Sequence, residues 1–237
     1  MTITRHALTY GRADLRFELR RVARKTLEIA VHPDGRVVVK APREADFTEV
    51  EARVLKRARW IRRQQAYFEQ FKPRTPPRQY IGGETHRYLG RQYRLKLVHG
   101  GRPSVKLSRG YFWITCRDPQ NREEVRRLLW QWLTQRAREK FAESFERCWP
   151  HFSRLGLPHP RLKIRRMKTR WGSLSESGTL TLNVYLIQSP RECIDYVITH
   201  ELCHLKHPDH SPAFYQLLEK VMPDWERRKH KLELALI

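Results

Sequence analysis

The segment ITHELCHLKHPDHSPAF, residues 198–214, concentrates the imidazole groups of the chain. It holds four of the eleven histidines, and these four fall within eleven residues. On a helix, His200 and His204 lie four residues apart and project from one face, about 6 Å apart along the axis. Two imidazoles at this separation can bind a single metal ion, so the spacing predicts a metal site.

Glu201 follows the first of these histidines and completes an HExxH pattern. It lies about 100° around the helix from His200, where a carboxylate can contact an activated water without occupying a coordination position. This arrangement predicts zinc-dependent hydrolysis with Glu201 as the general base. The alternative is an exposed helix with unrelated histidines. The apolar residues Tyr196, Val197 and Ile198 argue against it, because they indicate a buried helix in which unpaired polar groups are costly.

A third ligand must come from His207 or His210, because a catalytic zinc ion binds three protein ligands and water. In a continuous helix the ring of His207 would lie roughly 10 Å along the axis from His200, too far to share one ion. Pro208 disfavours helix at the preceding residue, so the chain should turn and bring His210 back. We expect one Zn²⁺ per chain, held by His200, His204 and His210. His207 occupies the glycine position of the metzincin pattern, so a metzincin is not favoured.

The composition indicates a folded, strongly basic protein. The chain has 237 residues, 40% of them apolar, which suffices for a substantial core. Lysine and arginine outnumber aspartate and glutamate by 48 to 25, giving a formal charge of +23. Such a field attracts nucleic acid, acidic surfaces or phosphorylated substrates.

Cysteine usage and hydropathy predict a cytoplasmic protein without membrane association. The four cysteines form no CxxC pair, which is typical of a reducing compartment and implies no disulfide. The first ten residues, MTITRHALTY, carry charge where a signal peptide needs an apolar run. No stretch approaches the roughly 18 apolar residues of a membrane helix.

The patterning predicts an α+β protein with three regions. Residues 1–73 should combine antiparallel strands, a hairpin turn at Asp34-Gly35 and one basic helix from Phe47 to Phe71. Residues 74–121 should form short antiparallel strands with glycine-containing turns. Residues 122–237 should form a helical core that begins with a long helix to Cys148 and carries the histidine motif on a later, buried helix. No internal repeat is evident.

The elements before the histidine helix are predicted from local signals. The segment RLKIRRMKTR is expected to be a strand, Trp171-Gly172-Ser173 a turn, and TLTLNVYL a second strand. Ser189-Pro190 is expected to open the histidine helix and Ser211-Pro212 the one after it, because serine caps helices and proline suits their first turn.

The C-terminal segment resembles the YgjP-like metallopeptidases, relatives of the SprT-like and minigluzincin zinc proteases. The resemblance rests on MKTRWGSLSESGTLTLNVYLIQSPRECIDYVITHELCHLKHPDHSPAFYQLLEKVMPDWERRKHKL and extends collinearly over residues 161–232. It is weaker over PDGRVVVKAP and RARWIRRQ. It implies a zincin-like core with zinc ligands at His200, His204 and His210 and Glu201 as the base. Three residues depart from the family pattern, which usually has Cys, Asn and Trp at the positions of Leu174, Asp209 and Tyr215.

A polypeptide is the expected substrate, and Arg170 and Asn183 are candidate substrate-binding residues. Arg170 ends a basic strand that could line the cleft and offer its edge to an extended peptide. The basic residues of that strand are Lys163, Arg165, Arg166, Lys168 and Arg170. A solvated edge strand protected by charge is an equal alternative.

Two further functions remain open. Zinc-dependent hydrolases also attack phosphorus, so nucleotides or polyphosphates are alternative substrates. A nucleic-acid-binding module with a structural zinc is the second alternative, and it would need a fourth protein ligand. The helix from Phe47 is a candidate nucleic-acid surface, because it carries basic residues around an aromatic ring, although a tryptophan such as Trp60 is more often a core anchor. These basic residues are Arg53, Lys56, Arg57, Arg59, Arg62 and Arg63.

Overall fold

A computed structural model describes residues 3–11, 13–24, 26–32, 34–69, 76–168 and 170–235. Residues 1–75 and 76–237 form two compact units. Both contain helices and sheets, so the structure has the mixed α+β character that the sequence predicts. Within the second unit, the strands before residue 121 and the helices after it share one hydrophobic cluster. The boundaries of the three predicted regions remain predictions.

The first unit contains a four-stranded sheet. Its strands are β1 (Ile3–Tyr10), β2 (Ala13–Val22), β3 (Glu28–Val31) and β4 (Val37–Pro42). They lie in the order β1-β2-β4-β3, with β1 and β3 each antiparallel to their neighbour. The prediction of a wholly antiparallel region is wrong, because β2 pairs with β4 in parallel. Each of these strands is the second strand of its hairpin, so side-by-side docking of the hairpins aligns them.

The predicted basic helix is two helices, α1 (Phe47–Lys56) and α2 (Ala58–Glu69); Phe71 lies outside the described residues. Arg57 interrupts the helix, because its N–H reaches both the Arg53 and Val54 carbonyls as in a tightened last turn. One face of these helices is apolar and buried, and it packs against the sheet. It consists of Val50, Val54, Ala58 and Ile61.

The second unit begins with another four-stranded sheet. Its strands are β5 (Thr85–Tyr88), β6 (Arg91–His99), β7 (Ser104–Ser108) and β8 (Tyr111–Cys116), in the order β5-β6-β8-β7. The antiparallel prediction is again wrong for the central pair, since β6 and β8 run parallel. The predicted turn at Arg109-Gly110 is confirmed, and both residues have positive φ, 49° and 82°. This conformation favours glycine at the second position.

The long helix α3 (Arg122–Cys148) is confirmed with its predicted bounds. The side chain of Asn121 caps it by accepting a 3.0 Å hydrogen bond from the N–H of Glu124. Its buried stripe joins β8 to the C-terminal elements in one core. The buried residues include Val125, Leu128, Leu129, Leu133, Ala137, Phe141 and Phe145.

The C-terminal elements surround the histidine segment. They are α4 (Pro150–Ser153), β9 (Arg161–Arg165), β10 (Gly172–Leu174), β11 (Thr179–Asn183), a 3₁₀ helix (Val184–Gln188), α5 (Arg191–Cys203), α6 (Pro212–Val221) and α7 (Trp225–Ala235). The small strands form a sheet in the order β10-β11-β9, in which β11 and β9 are parallel.

Four predictions about these elements need correction. The predicted strand RLKIRRMKTR ends at Arg165, so Arg166, Lys168 and Arg170 lie outside β9. Gly172 and Ser173 lie in strand β10 rather than in a turn, because both pair with β11. The predicted strand TLTLNVYL ends at Asn183, whose side chain accepts from the N–H of Tyr185 and starts the 3₁₀ helix. Ser189 does not cap α5, because its hydroxyl donates to the carbonyl of Leu186. The start of α6 at Ser211-Pro212 is confirmed.

The four cysteines are free and buried in the structure. Burial raises the pKa of the Cys148 thiol to about 11 and that of Cys203 to about 12, so both stay protonated near neutral pH. Across the described ranges, no helix combines the length and apolar character needed to cross a membrane.

Candidate metal centre

The end of α5 places the histidines. His200 and Glu201 lie in its last turn, and His204 is the residue that follows Cys203 at its C-terminus. The N–H of His207 still donates to the carbonyl of Cys203, at 3.0 Å, and Pro208 comes next. The chain therefore leaves the helix where the proline argument predicts, and it approaches α6 with His210 between the two helices.

Three imidazoles converge at this point. One ring nitrogen from each of His200, His204 and His210 lies within 4.8 Å of the other two. The Nε2 atoms of His200 and His210 are 3.0 Å apart. The ring centroids of His204 and His210 are 4.7 Å apart. The turn thus brings a residue ten positions along the chain to the two histidines of the helix.

The buried ring of Phe214 packs against all three imidazoles. Its centroid lies 5.0 Å from that of His200, 4.7 Å from that of His204 and 4.8 Å from that of His210. Phe214 has no exposed surface. Since α6 begins directly after His210, the helix places this apolar ring one turn beyond the third histidine and restricts the rotamers of all three.

The hydrogen bonds of the triad fit a metal ion. The Nδ1–H of His204 donates to the carbonyl of His207 at 3.0 Å, which leaves its Nε2 lone pair free for coordination. The Nε2 atoms of His200 and His210 face each other, an arrangement that a shared cation would satisfy on both sides. The buried Nδ1 of His200 has no hydrogen-bond partner among the described residues.

Burial favours the neutral form of His200 and His210, which is the form that binds metals. Burial, together with smaller contributions from the neighbouring His204 and His210, lowers the pKa of His200 to about 4. Burial and His204 also lower the pKa of His210, against the opposing charge of Asp209. A set of three imidazole nitrogen donors suits zinc.

The carboxylate of Glu201 lies in the same cleft as the triad, which has a volume of about 1030 Å³. Glu201 is 8% exposed. Burial raises its pKa to about 7, although the N–H of Leu174 and the charge of Arg170 act in the opposite direction. A carboxyl group with a pKa near neutrality can both accept and return a proton, as a general acid–base catalyst must.

This raised pKa predicts a pH-dependent stability difference. Between pH 4.5 and about 7 the folded chain retains a proton that the unfolded chain releases, so stability falls as the pH rises. The effect of Glu201→Gln on the free energy of unfolding of the metal-free protein should therefore depend on pH. Above pH 7 the substitution should be about 3 kcal/mol more stabilising than at pH 4. Urea unfolding of both proteins in EDTA across this pH range measures the difference in free energy of unfolding. A difference that does not change with pH would contradict the prediction.

Gly172 allows the close approach of β10 to Glu201. A Cβ atom at this position would lie 2.7 Å from both Cγ and Oε1 of Glu201, which is closer than such atoms pack. Its backbone φ is not positive, so the absence of a side chain is what this contact requires. The glycine of the WGS segment therefore fixes the position of the general-base candidate.

Gly172→Ala should lower the rate of hydrolysis by about 100-fold without loss of zinc, because it displaces the carboxylate but touches no imidazole. Gly82→Ala is the matched control, since its added Cβ would meet no atom within 4 Å. Kinetics and metal analysis of both variants measure the effect. Equal activity of the two variants would show that the contact with Glu201 has no influence on the reaction.

The two candidate substrate-binding residues lie in different environments. Arg170 is exposed and lines the cleft. Asn183 is 2% exposed, and its Nδ2 donates to the carbonyls of Met167 and Arg170, both at 2.9 Å. Its polar atoms are thus engaged within the protein, where they order the loop that carries Arg170 rather than facing the cleft.

The basic strand contributes little to the cleft. β9 lies at the far edge of its sheet from β10, and it is β10 that borders the triad. Arg161 and Arg170 line the cleft, whereas the other basic residues between them in the described chain do not. The expectation that this strand offers its edge to a substrate is better met by β10.

Gly172 and Phe214 are site residues that the motif analysis did not single out. The signal for Phe214 was its place four residues after His210 on a helix starting at Ser211-Pro212, which is one helical turn. Gly172 carried no comparable signal, because its role depends on the packing of β10 against α5.

Comparisons with known proteins identify the family of the chain. Residues 25–235 match the family described as YgjP-like, metallopeptidase domain. The chain is similar to the crystal structure of the metallopeptidase zymogen of Pyrococcus abyssi abylysin, with 29% identity over 38% of this chain and 87% of that one, and a TM-score of 0.34.

A second similar structure is the metallopeptidase zymogen of Methanocaldococcus jannaschii jannalysin. Its identity is 23% over 41% of this chain and 91% of that one, with a TM-score of 0.37. No curated protein matches the chain. The family match spans most of the sequence and includes residues 161–232, which carry the resemblance described above. The chain therefore belongs to the YgjP-like metallopeptidase family.

Proposed function

We propose that the chain hydrolyses peptide bonds with one zinc ion held by His200, His204 and His210 and with Glu201 as the general base. The convergence of the three imidazole donors beside a buried carboxylate carries this proposal. The four residues come from the end of one helix and the turn that follows it. A short segment of the chain therefore supplies all three proposed zinc ligands and the proposed general base.

The chemistry divides between the ion and the protein. When bound, zinc supplies a Lewis acid that lowers the pKa of a water molecule and polarises a carbonyl oxygen. Glu201 accepts a proton from the attacking water and passes it to the leaving amine. The N–H of Leu174 holds this carboxylate in place, and Phe214 supports the three rings.

The strand at the cleft favours a polypeptide substrate. β10 lies at an edge of its sheet, and all three of its residues line the cleft together with the triad. An extended peptide can add to such an edge through main-chain hydrogen bonds, which would align its carbonyl groups along the site. The exposed guanidinium of Arg170 can stabilise negative charge that develops on the substrate.

The alternative functions make different demands on the same residues. Arg161 and Arg170 both line the cleft, so a phosphate ester is the competing substrate class. A structural zinc would need a fourth protein ligand, and within the described ranges the donor cluster contains three histidines and no further residue. This donor count supports an enzyme over a structural zinc module.

The deciding experiment measures the zinc content of the protein and then screens two classes of substrate. Purified full-length protein is loaded with zinc and incubated with an unfolded protein and, separately, with nucleoside triphosphates. Glu201→Gln serves as the blank. We expect new peptide termini and no release of phosphate or pyrophosphate. Phosphate release that disappears in the variant, without peptide cleavage, would replace the proposed function by the phosphohydrolase.

A further inference from the structure

The sheet β5-β6-β8-β7 has one buried face and one face in solvent. Leu95, Phe112 and Ile114 point into the core of the second unit and are almost fully buried. The alternate residues lie on the opposite, solvent-facing side. On the two central strands and β7 that side carries Arg94, Lys96, Tyr111, Trp113 and Lys106, which we call the aromatic–basic face.

The centre of the aromatic–basic face is Trp113. The strand register places it directly beside Lys96 on β6 and Lys106 on β7. The Nζ atom of Lys96 lies 4.1 Å from the centroid of the Trp113 ring and 5.9 Å from that of Tyr111. The two rings are 6.2 Å apart, and Tyr111 is 37% exposed. Trp113 thus lies between two lysines, and Tyr111 lies beside it and next to Arg94.

The strands of this sheet contribute no carboxylate to the aromatic–basic face. Residues 85–117, which span all four strands, contain eight lysines and arginines and no aspartate or glutamate. The whole chain has 25 acidic residues, so their absence from the entire sheet distinguishes this surface from an ordinary solvated face with mixed charge. Such a surface has a positive potential that favours a polyanion.

The combination of rings and cations specifies the polyanion. Exposed aromatic rings stack with unpaired bases, and lysines beside them neutralise the phosphates between those bases. A duplex cannot use the rings in this way, because the faces of its bases are already stacked. A purely acidic polypeptide would use the cations and leave the aromatic rings without partners.

We propose that the aromatic–basic face binds single-stranded nucleic acid, with bases stacked on Trp113 and Tyr111 and phosphates at Arg94, Lys96 and Lys106. This surface is separate from the cleft, and the inference does not depend on the proposed peptide hydrolysis.

The basic side of α1 and α2 is the natural comparison surface. Trp60 is 38% exposed there and has basic neighbours. However, Arg53 is paired with Glu49 at 2.7 Å, and no cation–π contact to Trp60 occurs in the part of the chain that the structure describes. Variants of this helical surface therefore provide matched controls for charge and for loss of a tryptophan.

The first test removes the stacking ring. Binding of a fluorescently labelled 15-nucleotide single strand of mixed sequence to the full chain is measured by anisotropy at low salt. Trp113→Ala should weaken binding by about 10-fold or more, because one stacking platform is lost. Trp113→Phe should retain most of the affinity, and Trp60→Ala should bind like the parent protein. Equal affinity of the Trp113→Ala and Trp60→Ala variants would overturn the proposal.

The second test removes charge and does not disturb the half-buried ring. The double variant Lys96→Gln, Lys106→Gln should bind more weakly and should reduce the slope of log K against log salt by about 1.4, as expected for two phosphate contacts. Arg59→Gln, Arg63→Gln is the matched control and should leave the slope unchanged. The reverse result would assign binding to the helical surface and overturn the proposal.

Competitors identify the class of ligand. An unlabelled single strand should displace the probe, whereas a duplex of the same sequence and poly-glutamate should compete at least about 10-fold less well. Competition by poly-glutamate or inorganic polyphosphate as strong as that by the single strand would show a general anion surface and overturn the assignment to nucleic acid. Circular dichroism and thermal unfolding verify that every variant is folded.

Discussion

Glu201→Gln should reduce peptide hydrolysis by about 10²–10⁴-fold while the protein keeps one zinc ion per chain. Glutamine has nearly the shape of glutamate and can still accept the hydrogen bond from the N–H of Leu174. It cannot take up the proton of the attacking water. The metal should remain, because the imidazole nitrogens converge without any contribution from this carboxylate.

Glu176→Gln is the matched control for this variant. Glu176 is an exposed carboxylate that lines the same cleft, so its substitution makes the same change in charge close to the site. Zinc content by mass spectrometry and initial rates on one protein substrate are measured for both variants. Full activity in Glu201→Gln, or a comparable loss in Glu176→Gln, would exclude Glu201 as the general base.

His210→Ala should lose most of the bound zinc and all measurable hydrolysis. It removes one of three donors, and the remaining pair on α5 leaves an incomplete shell that binds the ion much more weakly. Zinc affinity is measured by competition with a chromogenic chelator. The fold should persist, since His210 is exposed while Phe214 beside it stays buried.

His207→Ala separates the turn from the ligand set. The imidazole of His207 is not among the converging donors, whereas its main-chain carbonyl accepts from Nδ1 of His204. Alanine keeps that carbonyl, so zinc content should stay intact and activity should fall only modestly. Zinc retained in His210→Ala and lost in His207→Ala would overturn the proposed ligand set.

The grouping of the histidines could be predicted from sequence because its determinants are local. The spacing of His200 and His204 follows from helix geometry, and Pro208 sets the point where the chain must turn. The structure brings His210 to the other two, as this reasoning requires. The buried stripe of α3 was equally predictable, because the apolar residues recur at helical spacing over many turns.

Other features depend on contacts between distant residues. The parallel pairing of β2 with β4 and of β6 with β8 leaves no mark in either strand, since alternation looks the same in both orientations. The role of Asn183 was not accessible either. Its side chain binds the backbone of a loop more than ten residues earlier, which only the folded chain brings alongside.

The two four-stranded sheets share one strand order, and this order has a consequence for the sequence of events during synthesis. Each sheet consists of two hairpins of neighbouring residues, which one parallel ladder joins. This ladder begins with the pair Glu18 and Val38 in the first sheet and with the pair Arg94 and Tyr111 in the second. Hairpins form within microseconds and short loops close easily, whereas a ribosome adds only about 5–20 residues per second. Both sheets can therefore pair before His200 leaves the ribosome, so the histidines of the metal site emerge after both sheets have formed.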